Sequence, residues 1–167
     1  MDRHGLCSSR GVGVSKFEDL RVWQAAMALS DKIASLTNRP GFNQDLELVR
    51  QMNSASLSVA SNISEGFLRH RDREFLQFLR IAAGSNGEVR SCLHAARGRG
   101  YLDRGEAEKL VEETNIIGRM IRRLQQTLES RSELPADGRQ RTRNRGRTKD
   151  QEPTNRPRTK DEPGTKA

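Results

Sequence analysis

The side chains best equipped for chemistry in this chain are arginines. Arg139, Arg141, Arg143, Arg145 and Arg147 recur at every second position. In an extended chain, positions i and i+2 point the same way, so this run offers a row of guanidinium groups to a phosphate backbone. Each phosphate neutralised adds about −0.7 to −0.9 to the salt slope of binding. Asp150, Glu152, Asp161 and Glu162 dilute the later part of the segment, and a solubilising tail without a specific ligand is the competing reading. A second basic cluster is Arg69-His70-Arg71-Asp72-Arg73, and a third is Arg119, Arg122 and Arg123. Complementarity to a helix dipole is the simpler account of the third cluster. Arg97 and Arg99 precede a Glu-rich stretch, where surface ion pairing is expected.

No constellation for catalysis emerges. His4, His70 and His94 are scattered, and no Glu-x-x-His pair of the kind that holds di-iron in helical bundles is present. Phosphate-loop, nucleophile-elbow and Cys-x-x-Cys motifs are missing from the sequence. Cys7 and Cys92 are far apart; Cys92 falls in a helical pattern and reads as a small core residue, which argues against a disulfide framework. The expectation is a protein that is not an enzyme and carries neither cofactor nor metal.

The elements that must position these arginines are helices. Val22, Ala26, Leu29, Ile33 and Leu36 repeat at spacings of four and three, which predicts a helix from Asp19, as N-cap, to Thr37. Asn38-Arg39-Pro40-Gly41 stops it. A second helix is predicted from about Asn43–Asp45 to Gly66 on Val49, Met52, Ser56, Val59 and Ile63. Its middle is rich in small residues, which lets helix axes approach closely. A third runs from Asp72 to about Arg97 on Phe75, Leu79, Ala82, Asn86, Val89, Leu93 and Ala96. Gly84 and Gly87 inside it each cost about 1 kcal/mol against Ala, which suggests close backbone contact or a kink. Gly98 and Gly100 supply its stop. The fourth opens on Asp103-Arg104-Gly105-Glu106, a capping box with Asp in the first position. It continues on Ala107, Leu110, Thr114, Ile117, Ile121, Leu124 and Leu128.

Short links force consecutive helices to lie antiparallel, so the fold expected is all-α, an up-down-up-down four-helix bundle over residues 17–129. That geometry places Arg119, Arg122 and Arg123 toward the start of the third helix, beside Arg71 and Arg73. Residues 1–16 and 130–167 lack apolar periodicity and are expected to be a disordered leader and a disordered arginine-rich tail. Leu57 and Ile116 fall beside the main stripes, which suggests self-association, with a monomer having a broad core face as the alternative.

Composition agrees. Hydrophobic residues are 33% and charged residues 31%, so the core is small for the length. A net charge of +8 and a pI near 10.3 favour anionic partners. No apolar run is long enough for a membrane span, and the opening residues lack the apolar stretch of a secretory signal. A cytoplasmic protein without a membrane partner is the default expectation.

Several segments carry a family resemblance. Phe17-Glu18-Asp19-Leu20-Arg21-Val22-Trp23-Gln24-Ala25-Ala26 resembles the Asp-Leu-x-Val-Trp-Gln-x-Ala opening of the four-helix-bundle proteins encoded in bacterial 23S rRNA intervening sequences. Ser61-Asn62-Ile63-Ser64-Glu65-Gly66-Phe67 resembles their Ser-Asn-Ile-Ala-Glu-Gly signature. Glu74-Phe75, Phe78-Leu79, Ile81-Ala82-Ala83-Gly84-Ser85 and Gly100-Tyr101-Leu102 follow in the family order. Asn53-Ser54 stand where the family carries a basic pair, Ala60 where it carries Pro, and Arg71 where it carries a capping Ser. The resemblance implies a bundle that assembles into a ring, a homopentamer. The family also includes the accessory variability proteins of diversity-generating retroelements, which bind nucleic acid and pair with a reverse transcriptase. The function expected is therefore an oligomeric scaffold that binds RNA or DNA through phosphates, with a protein-interaction adaptor as the alternative. Trp23, Asn62, Glu65 and Gly66 carry the signature and read as structural residues.

Overall fold

The computed structural model describes residues 14–132. Four helices account for most of them: α1 Arg21–Thr37, α2 Leu46–Leu68, α3 Asp72–Gly98 and α4 Arg104–Ser132. Helices adjacent in sequence pack together, and α1 also packs against α4, whereas the diagonal pairs bring no backbones close together. This closes a square, antiparallel up-down-up-down bundle. Among the described residues there is no strand.

The apolar stripes face inward. Val22, Ala26, Leu29, Ile33 and Leu36 of α1 are buried, as are Phe75, Leu79, Ala82, Asn86, Val89, Leu93 and Ala96 of α3. Met52, Val59 and Ile63 of α2 and Ile117 and Ile121 of α4 complete the core. Each large apolar side chain removed from water contributes about 1.5–3 kcal/mol.

The connections follow local chemistry. Asp19 is not the cap of α1. It ends a 3-10 turn, Phe17–Asp19, and α1 starts after Leu20, which has no side-chain cap. Leu20 is buried and Phe17 sets its ring edge-on against Trp23 at 5.2 Å. Apolar anchoring thus replaces the polar cap. A left-handed Gly41 leads into a second 3-10 turn, Phe42–Gln44, and Asp45 caps α2 by accepting from the Leu48 N–H at 3.3 Å. Phe42 is buried and stacks on Tyr101 at 4.4 Å, tying the first connection to the third. Gly100, at φ 80, terminates α3. The capping box of α4 forms: the Glu106 N–H donates to Asp103 Oδ1 at 2.8 Å, and the Asp103 N–H donates to Glu106 Oε2 at 3.4 Å.

Gly84 and Gly87 do not mark a close approach. A Cβ at either would meet nothing within 4 Å. The close approach is at Gly66, where a Cβ would lie 2.6 Å from Phe78 Cβ and 2.7 Å from Phe75 Cδ2. α4 continues to Ser132, three residues past the expected end of the bundle. The remaining leader and tail, with Arg139, Arg141, Arg143, Arg145 and Arg147, lie outside the described residues.

Candidate nucleic-acid interface

The arginines of α2, α3 and α4 divide into paired and unpaired groups. Arg69 donates to Glu65 at 2.7 Å and lies 5.6 Å over the Phe78 ring. Arg71 lies 3.5 Å from Glu74. Arg119 donates to Glu112 at 2.9 Å. That bond and a second from Asn115 hold the Glu112 carboxyl below its ordinary range. Arg73, Arg122 and Arg123 are exposed and have no hydrogen-bond or ion-pair partner among the described residues.

Arg119 and Arg122 do not stand beside Arg71 and Arg73 as expected. Asn86 of α3 donates to the Thr114 carbonyl, Arg90 donates to Asn115, and Arg80 lies 3.7 Å from Glu129. These contacts fix the α3–α4 register. They set Arg119 and Arg122 beside the middle of α3, in a groove they share with Asn86 and Arg90. Leu124, Leu128 and Arg131 of α4 line a mostly apolar hollow together with Arg71. Arg119 is thirteen residues from the end of α4, a helical rise of about 20 Å.

The groove between α3 and α4 encloses about 340 Å³. Arg90, Arg119 and Arg122 supply its cationic groups, and Asn86, Asn115 and Gln125 its amides. Gly87 and Gly118 keep it open. Asn86 is 7% exposed, its amide nitrogen donates to the Thr114 carbonyl at 2.8 Å, and its Oδ1 is buried without a partner. Stripe spacing placed Asn86 in the core; its spare acceptor was not readable from sequence.

Arg99 does not pair with the Glu-rich start of α4. It pairs with Asp45, the cap of α2, and that contact holds the Asp45 carboxyl below its ordinary range. Two glutamates of α4 instead pair with α1 and the turn that follows it: Lys32 reaches Glu113 at 2.7 Å and Arg39 reaches Glu106 at 2.9 Å. Both pairs span a cleft between α1 and α4 floored by Leu36, Leu102 and Leu110.

The signature residues sit on α1 and α2. Trp23 is half-buried. The Asn62 amide donates to the Ser58 carbonyl at 2.7 Å and to its hydroxyl at 3.0 Å, and the Ser58 and Ser85 hydroxyls are bonded at 2.9 Å across α2 and α3. Glu65 holds Arg69, and Gly66 admits the phenylalanines of α3. Nearby Leu57, Leu68 and Ile81 are 52%, 55% and 46% exposed. Cys92 is half-buried, and desolvation pushes its thiol up from the ordinary 9.0. Among the described residues, His, Cys, Asp and Glu form no group of three able to hold a metal, and no helix is long and apolar enough to cross a membrane.

The family model described as 23S rRNA-intervening sequence protein matches residues 18–123. A solved structure from Bacteroides thetaiotaomicron VPI-5482, described as a protein with unknown function from the S23 ribosomal protein family, is similar in fold. The TM-score is 0.59 at 16% identity, over 63% of this chain and 95% of that one. No curated protein matches the chain significantly.

Proposed function

Because this chain belongs to the 23S rRNA-intervening sequence protein family, we propose that it is a non-enzymatic, self-associating helical scaffold that binds RNA or DNA through phosphate contacts. The observation carrying this reading is the α3–α4 groove, lined by Arg90, Arg119 and Arg122, where among the described residues Glu112 is the one carboxylate hydrogen-bonded to them. Guanidinium groups present paired N–H donors that match phosphate oxygens. Residues 133–167 hold ten further basic side chains against six acidic ones, so the tail adds to the same attraction. Exposed Leu57, Leu68 and Ile81 supply apolar surface for contact between copies, and a ring of five copies is the assembly this reading adopts.

The second reading is an adaptor that binds a protein, with a retroelement reverse transcriptase as one partner. The same exposed leucines and isoleucine favour it. Fluorescence anisotropy with single-stranded RNA and DNA, at low and then rising salt, separates the two. The full chain and a chain ending at Glu133 are compared. The scaffold reading expects salt-sensitive binding that survives, weakened, in the shortened chain. No binding by either chain at low salt leaves the adaptor. Sedimentation of the full chain tests assembly: a monomer at micromolar concentration defeats the ring.

A further inference from the structure

Basic side chains on α3 recur at a spacing that the groove alone does not explain. Arg73 and Arg80 stand seven residues apart, and His94 lies fourteen beyond Arg80. Arg90 and Arg97 form a second pair seven apart. Seven residues are nearly two whole helical turns, so these are two adjacent columns along one face of α3. All five side chains are exposed. Contacts set that face along the seam with α4. Arg80 lies 3.7 Å from Glu129, and Arg90 donates to Asn115 at 3.1 Å. His94 and Arg97 line a hollow with Val111 and Asn115. Asn115 also lines the groove of Arg119 and Arg122, so hollow and groove adjoin.

The first column has one gap. Midway between Arg80 and His94 stands Gly87, which has no side chain. There α4 supplies the cations, because Arg119 and Arg122 line the groove together with Gly87. A Cβ at Gly87 would meet nothing within 4 Å, so the path is open at that point. Cations therefore accompany the seam from Arg73 to Arg97, twenty-four residues and about 36 Å of helical rise. Three carboxylates border the path, and each is paired with an arginine: Glu129 with Arg80, Glu112 with Arg119 and Glu108 with Arg104. Arg73, Arg97 and Arg122 have no hydrogen-bond or ion-pair partner for their side chains among the described residues.

Resting on the nucleic-acid reading above, we propose that one single strand of nucleic acid lies lengthwise along the α3–α4 seam from Arg73 to Arg97, its phosphates held by arginines of both helices. A strand stacked as in a duplex advances about 3.4 Å per phosphate, so about 36 Å carries about ten stacked phosphates and about half as many extended ones. A duplex does not fit the path. Each of its strands winds a full turn in about 34–36 Å and leaves a straight row of cations within a few phosphates. Arg80, His94 and Arg97 thereby join the groove arginines in one site, and Gly87 and Gly118 give the strand room to pass between the two helices.

Anisotropy titrations of the full chain with oligo-U of three and of twelve nucleotides, each across a range of salt, test this. Arg73→Gln and Arg97→Gln change exposed, unpaired side chains near opposite ends of α3, so the fold is expected to stay intact. On the dodecamer, the double variant lowers the salt slope by about 1.4, two phosphates at about 0.7 each. The trimer covers the groove alone and keeps its slope. An unchanged slope on the dodecamer overturns the track and leaves binding in the groove only. Equal losses on trimer and dodecamer also overturn it, since the two arginines would then act as a diffuse field. So does a twelve-pair duplex whose slope falls as far as that of the single strand. No binding of the wild-type chain to either length defeats the nucleic-acid reading itself, and the track with it.

Discussion

Gly66→Ala and Gly84→Ala are chemically the same substitution with opposite expected outcomes. In a helix interior, either change gains up to about 1 kcal/mol of propensity. At Gly84 the new methyl meets nothing within 4 Å, so the gain stands and the protein is stabilised by about 0.5–1 kcal/mol. At Gly66 the methyl lies 2.6 Å from Phe78 Cβ. That atom is fixed to the α3 backbone and cannot swing away. The second obstacle, Phe75 Cδ2 at 2.7 Å, belongs to a buried ring set edge-on to Phe67 at 6.1 Å. Relief requires α2 and α3 to separate locally, an overpacking cost of about 1–3 kcal/mol and sometimes more. With two contacts under 3.0 Å the cost falls in the upper part of that range, about 2–3 kcal/mol, so the net at Gly66 is a loss of about 1–2 kcal/mol after the propensity gain. A domain of this size shifts its midpoint by about 4 °C per kcal/mol. Thermal unfolding followed by circular dichroism should therefore place Gly66→Ala several degrees below wild type and Gly84→Ala slightly above it. A Gly66→Ala protein that melts at or above wild type would refute the claim that the signature glycine exists for α2–α3 contact.

Three further expectations follow from particular contacts. Asp103→Ala removes one half of the α4 capping box and should cost about 1 kcal/mol, read as a lowered unfolding midpoint. Glu112→Gln releases Arg119 and removes the negative charge paired with it, so nucleic-acid affinity should rise and the salt slope should steepen by about 0.7–0.9. Asp45 is held below its ordinary 3.8, first by the hydrogen bond from Arg99. A depressed carboxylate stabilises the fold above its unfolded value and loses that effect as pH falls through the folded value. Asp45→Asn keeps a capping side chain but drops the charge, so it should melt below wild type at neutral pH, with the difference closing below pH 3.8. A difference independent of pH would show that the ion pair with Arg99 does not matter.

The helices were legible because their apolar spacing is regular. Every stripe residue named for α1 and α3 is buried, including polar Asn86. The α4 start was legible because Asp103 and Glu106 stand three apart and cap each other. The α1 start was not, since Leu20 and Phe17 anchor it by packing, and Asp19 is an acceptor that caps nothing there. Gly84 and Gly87 looked like contact points because sequence gives the cost of a helical glycine without showing what faces it. The position of the arginines failed for a different reason. Antiparallel topology says which ends meet, but the register along α3 and α4 comes from pairs such as Asn86 with Thr114 and Arg90 with Asn115. A residue near the middle of α4, as Arg119 is, was thereby placed at the wrong height. The groove itself joins residues about thirty positions apart, and nothing local marks it.

The most direct test replaces Arg90, Arg119 and Arg122 together by Gln in the full chain and measures single-stranded RNA binding across a range of salt. If these guanidiniums carry phosphates, affinity falls and the slope of log K against log salt shrinks by about 2, close to three phosphates at about 0.7 each. A variant that folds, binds as tightly as wild type and keeps the same slope would contradict the assignment of this face to nucleic acid.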